Sequence, residues 1–130
     1  MRKLSLCLAL VSGAVVCGSV TAQPTHSGIA GRVLAGPTCP VERVPPDPQC
    51  APRPLAARVR IVRTGHPGSR WVVRSGSDGR FRVALVPGRY TLTPLARRGS
   101  PFPRPGPPQT VTVRGGHYTR VTITYDTGIR

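Results

Sequence analysis

Apolar and polar residues alternate along most of this chain, and the alternation sorts into seven short strands. Ile29–Leu34 places Ile29, Gly31 and Val33 on one face, and Ala57–Val62 places Val59 and Ile61 inward with Arg58 and Arg60 outward. Arg70–Arg74 is centred on Trp71. The next strand carries Phe81, Val83 and Leu85 against Arg80, Arg82 and Ala84, and the one after it Tyr90 and Leu92 against Arg89 and Thr91. Thr110–Arg114 carries Val111 and Val113, and His117–Asp126 alternates Thr119, Val121, Ile123 and Tyr125 with Tyr118, Arg120, Thr122 and Thr124. A period of two is that of a strand with one buried face. No stretch has helical periodicity, and Pro and Gly together make 31 of 130 residues, too frequent for helices of ordinary length. The pattern predicts an all-β, seven-stranded sandwich. Its core is Ile29, Val33, Val59, Ile61, Phe81, Val83, Leu85, Tyr90, Leu92, Val111, Val113, Val121, Ile123 and Tyr125.

Turn chemistry separates the strands. Ser77-Asp78-Gly79 and Pro87-Gly88 bracket the Phe81 strand, so 77–92 reads as a β-meander, and Gly115-Gly116 reads as a two-residue hairpin loop joining the last two strands. Two connections are too Pro-rich for strands: 36–54, and 97–108, which is expected to run as extended polyproline-like backbone exposing Phe102. Such loops on a rigid scaffold commonly carry function.

The run S-D-G-R-F-R-V-A-L-V-P-G-R-Y-T-L resembles the D-G-x-F-x-x-x-L-x-P-G-x-Y-x-L core of the prealbumin-like (transthyretin-like) β-sandwiches found as carboxypeptidase regulatory-like domains. The resemblance covers about Ile29–Thr124 and implies a secreted, non-catalytic module. Related sandwiches bind carbohydrate. Two activities of relatives do not carry over. The transthyretin-like hydrolase of purine breakdown ends in Tyr-Arg-Gly-Ser, whereas this chain ends Tyr125-Asp126-Thr127-Gly128-Ile129-Arg130. The adhesin stalk repeats cross-link a Lys to Asn or Asp, and beyond Lys3 the chain has neither Lys nor Asn.

The N-terminus reads as a signal peptide over residues 1–22. Arg2 and Lys3 form a basic start, 4–16 an apolar run too short to span a bilayer, and Val20-Thr21-Ala22 a small-residue cleavage site. Lipidation at Cys17 is the competing reading, against which stands Val16 in place of a small residue. Cleavage after Ala22 leaves a single domain, 23–130, with Cys39 and Cys50. An exported pair predicts a disulfide, and closing a loop of this size stabilises by about 3 kcal/mol in the chain-entropy model.

Charge narrows the function further. The exported portion has 17 basic residues, all Arg, against Glu42, Asp47, Asp78 and Asp126. Such a field attracts polyanions (nucleic acid, anionic lipid headgroups or acidic cell-envelope polymers), and an exported protein meets the last two far more often than nucleic acid. Arginine bias in composition is the competing account. The candidate anion-binding set is Arg58, Arg60, Arg80, Arg82 and Arg120, forming one patch if the Ala57–Val62 and Phe81 strands share a sheet. Phe102 and Trp71 are the candidate aromatic contacts. Trp71, flanked by Arg70 and Arg74, offers a platform for a sugar or quinone ring, or else faces the core with Val73.

Catalytic chemistry finds little support. No motif joins a nucleophile to a base and an orienting group. Glu42 and Asp47 sit in one small ring among arginines, and Asp78 has a turn role instead of calcium ligation. His26, His66 and His117 lie at a terminus, in a turn and beside Gly115-Gly116; a small enzyme or metal protein requires them to converge. No metal or cofactor is expected. A structural interaction protein, pairing through an open edge strand, is the third reading. The reading that fits best is a secreted binding or accessory module of the cell envelope.

Overall fold

In the computed structural model, which describes residues 26–41 and 43–130, the chain is all-β. The segment expected to be a signal peptide, the expected cleavage site, Cys17 and Glu42 lie outside the described residues. Nine strands are present among those described: β1 Gly28–Gly36, β2 Arg53–Pro54, β3 Arg58–Arg63, β4 His66–Arg74, β5 Arg80–Ala84, β6 Gly88–Pro94, β7 Arg104–Pro105, β8 Gln109–Val113 and β9 Tyr118–Asp126. A single 3-10 turn, Pro48–Cys50, lies in the connection before β2. None of the described residues forms a helix long and apolar enough to cross a membrane.

The strands form two sheets with one shared core. In the first, β1 is the hub: β5 and β2 pair antiparallel along one edge and β9 runs parallel along the other, with β7 outside β9. The second is antiparallel in the order β4-β3-β6-β8. Ile29, Val33, Phe81, Val121, Ile123 and Tyr125 from the first sheet pack with Val59, Ile61, Tyr90, Leu92 and Val113 from the second. Leu85 is buried with them, while Val83 and Val111 are half-buried against the cluster. The expected inward face therefore holds along every core strand.

Pairing departs from the sequence reading in three places. The segment 77–92 is not a meander: β5 joins β1, and β6 joins β3 and β8 in the other sheet. The corner between them is closed by the Tyr90 hydroxyl donating to the Val86 carbonyl at 2.6 Å. Gly115-Gly116 likewise does not close a hairpin. β8 and β9 belong to different sheets, and the Thr119 hydroxyl and Gln109 side-chain amide bridge them by donating to the Thr112 and Thr122 carbonyls, each at 2.7 Å. The count is nine, not seven, because β2 and β7 arise inside the Pro-rich connections. Each is two residues at a sheet edge, where a proline's missing N–H costs no ladder bond. In addition β4 begins four residues earlier than Arg70.

Side-chain hydrogen bonds close the ends of the core. The Ser75 hydroxyl donates to the Leu55 carbonyl at 2.7 Å and accepts the Ala57 N–H at 2.9 Å. The Tyr125 hydroxyl, on a residue only 1% exposed, donates to the Leu95 carbonyl at 2.7 Å and so ties the first sheet to the second. Burial pushes that phenol's pKa up, against the pull of Arg58 and Arg97 nearby. Cys39 and Cys50 are bonded, with Cα atoms 5.2 Å apart, closing the Pro-rich loop beside β2.

The register of β5 rests on one close approach. Gly31 pairs with Phe81 across the strands, and the Phe81 ring lies where a Cβ on residue 31 would be. Ahead of it the expected turn forms: Gly79 takes φ +74°, and the Asp78 carboxylate accepts the Arg80 N–H at 3.0 Å. Phe81→Ala should destabilise the fold by about 3–5 kcal/mol, and Gly31→Ala, by forcing the ring out, by about 1–3 kcal/mol. Denaturant melts of both variants and of Gly31→Ala/Phe81→Leu test the coupling. The pair should cost clearly less than the sum of its singles, whereas additivity would mean the ring and glycine do not meet.

Candidate anion-binding face

Alternation along three adjacent strands determines the surface opposite the core. On β1 the residues between buried Ile29, Gly31 and Val33 are Ala30 and Arg32; on β5, flanking Phe81, they are Arg80 and Arg82; on β9, flanking Val121, they are Arg120 and Thr122. The register aligns them in two rows. Arg82, Ala30 and Arg120 stand side by side, and next to them Arg80, Arg32 and Thr122. Four guanidinium groups thus rise around the methyl group of Ala30, over a depression of ≈ 550 Å³. Among the described residues no carboxylate lines it.

Neighbouring strands lie about 5 Å apart and rows about 7 Å apart, so Arg80 and Arg32 start side by side, while Ala30 separates Arg82 from Arg120. Two unit charges 5 Å apart repel by about 1 kcal/mol even in water. The Arg80–Arg32 pair falls inside the screening length of about 8 Å at physiological salt. Arg82 is also held in place: its guanidinium lies 3.6 Å from the centre of the Tyr118 ring, which comes from the next outward position of β9. Such a contact contributes about 0.5–1 kcal/mol at an exposed site and leaves the guanidinium's hydrogen-bond donors free.

The three described acids are engaged elsewhere. The Asp78 carboxylate serves the turn before β5 and Asp47 caps the 3-10 turn by accepting the Gln49 N–H at 2.9 Å. Asp126 accepts from both terminal nitrogens of Arg130, at 2.8 and 3.2 Å, and from the Gly128 N–H at 2.8 Å. Those bonds, Arg130 foremost, lower its pKa to about 2. Among the described residues this is the one ion pair.

The sequence-derived set is divided by the topology. Arg80, Arg82 and Arg120 come together, joined by Arg32, which the sequence reading did not select although alternation from Gly31 and Val33 marks it as outward. Arg58 and Arg60 belong to β3 in the second sheet, so the single patch across both strands does not form. They stand instead on that sheet's outer face, Arg58 directly opposite Arg74 and Arg60 opposite Val72.

The aromatic candidates are both open to solvent. Trp71 lies on the core-facing side of edge strand β4, its ring centre 6.0 Å from that of Tyr90, yet it is 37% exposed because no further strand covers the edge. Phe102 is 39% exposed, packs against Gly128 and lies under the Arg104 guanidinium at 4.6 Å. Neither touches the arginine rows. Among the described residues, no three His, Cys, Asp or Glu side chains gather in a metal-holding arrangement. No protein-family model matches the chain, and a search of the curated proteins finds no match.

A carboxylate whose folded pKa is depressed adds stability above its unfolded value, and loses it as pH falls through the folded one. For Asp126 the window runs from 3.8 down to about 2, and its exposure keeps the effect small. Carboxyl-carbon NMR should give a titration midpoint near 2 that rises towards 3.8 in Arg130→Ser. An unmoved midpoint would show that the pair does not form in solution.

Proposed function

We propose that this protein is an exported, non-catalytic binding module of the cell envelope, built on the prealbumin-like sandwich, which takes up anionic polymers on the outer face of β5-β1-β9. The observation that carries the reading is the quartet of Arg32, Arg80, Arg82 and Arg120, standing in two rows with no carboxylate among them. The sandwich reading is supported by two sheets closing on one core and by Phe81 and Tyr90 meeting that core from opposite sheets. Export is supported by the basic and apolar start of the chain and by a disulfide of the kind oxidising compartments permit.

Guanidinium groups receive phosphate or carboxylate through paired N–H donors. An incoming anion also relieves the mutual repulsion of the four arginines, so binding is favoured twice over by the same geometry. The depression is half open to solvent and rimmed by arginines instead of the apolar walls that bury a small ligand. It therefore fits a chain of repeated anionic groups better than a single small molecule.

Attraction of this kind releases counterions and weakens with salt. With four phosphates engaged, affinity should fall about 50- to 150-fold between 50 and 200 mM salt. The check is elution from a phosphate-bearing polymer column in a salt gradient. Arg32/Arg80/Arg120→Ser should elute clearly before Arg43/Arg53/Arg114→Ser, which removes the same charge from scattered positions. Co-elution of the two variants would reduce the arginines to composition and sink the proposal.

A further inference from the structure

The arginines excluded from the first face build a second one, and we infer from its position that the protein bridges two polyanion chains at once. This rests on the proposed function above. Arg58 and Arg74 are cross-strand partners on β3 and β4, directly opposed with like charge, an arrangement that destabilises a strand pair. Arg97 and Arg98 converge on them from the connection that follows β6. The four surround a depression of ≈ 400 Å³ floored by Ala56, Ala57, Leu95 and Ala96, again with no carboxylate from the described residues in its lining.

The floor of this depression is fixed. The Leu95 N–H donates to the Arg58 carbonyl at 2.9 Å, and the Leu95 carbonyl accepts from the buried Tyr125 hydroxyl at 2.7 Å. The start of β3 and the end of β6 are thereby locked together beneath the guanidinium groups. Small side chains in the floor leave room for an anionic group to sit between them. Arg60 continues the charge along the same outer face.

Direction makes the pair of sites bivalent. Val59 and Ile61 point into the core from β3, so Arg58 and Arg60 point out of the second sheet. Ile29, Val33 and Phe81 point into the same core from the first sheet, so Arg32, Arg80 and Arg82 point out the other way. About 10 Å of packed side chains separates stacked sheets. One flexible polymer strand lying on either face cannot reach the other without turning the edge of the molecule, whereas two strands can be held on opposite sides.

The test uses tripolyphosphate and long-chain polyphosphate as probes, with thermal melts confirming that each variant folds. By calorimetry the parent should bind two tripolyphosphates; Arg32/Arg80/Arg120→Ser and Arg58/Arg74/Arg97→Ser should each bind one. With long-chain polyphosphate the parent should give light scattering that peaks at an intermediate ratio and clears at polymer excess. Each single-face variant should still bind but scatter at least tenfold less, and Arg43/Arg53/Arg114→Ser should scatter like the parent. A parent that binds one tripolyphosphate, or face variants that scatter like the charge-matched control, would overturn bridging while leaving a single binding face standing. A parent that binds neither probe would overturn both.

Discussion

The seating of the Phe81 ring on Gly31 fixes how β5 lies along β1, and the arginine face follows from that register. Side chains alternate with period two, so a slip of one residue would send Arg80 and Arg82 into the core and Phe81 into solvent. The ring's place exists because residue 31 has no Cβ. The asymmetry of energies is large: a slip would bury two unpaired charges, at several kcal/mol each, besides exposing an aromatic ring. Hydrophobic packing on one side of the sheet thus aligns charge on the other. Arg82 is set beside Ala30 and Arg80 beside Arg32 by the same contact that closes the core.

β1 is the strand through which the first sheet is assembled. Its nine residues pair in parallel with β9, while its other edge is shared by β5 and β2. Because both edges are occupied, its outward residues lie at the middle of the face, and Arg32 stands between Arg80 and Thr122 instead of at a rim. Electrostatics alone would not choose this arrangement. Like charges at cross-strand positions oppose folding by tenths of a kcal/mol to about 1 kcal/mol per pair, and the core tolerates that cost. In neither cluster does a described acid line the depression.

Much of this was legible in the sequence, and the part that was not has a physical reason. Alternation assigns each residue to a face, which is why Ile29, Val59, Phe81, Tyr90 and Ile123 emerge as core and Arg80, Arg82 and Arg120 as outward. It says nothing about which strand pairs with which. Phe81 and Tyr90 strands separated by Pro87-Gly88 suit a hairpin as well as a crossover, and only the whole set of pairings decides between them. The same gap divided Arg58 and Arg60 from the other candidates and hid Arg32, whose partners are distant in sequence. β2 and β7 escaped because two edge residues containing a proline have no periodicity to detect. Alternation leaves both readings of Trp71 open, because burial depends on neighbours as well as on face: it lies on the core side of β4, yet β4 has a neighbour on one side only and the ring stays open to solvent.

The register of β5, β1 and β9 gathers Arg32, Arg80, Arg82 and Arg120 on one face, which is proposed to bind anions as a unit. Arginine Nε–Hε NMR during a titration with tripolyphosphate observes each guanidinium separately. These four resonances should shift along a common saturating curve, while those of Arg43, Arg53 and Arg114 stay near their starting positions at the same salt. Shifts of equal size spread over all the arginines would contradict it.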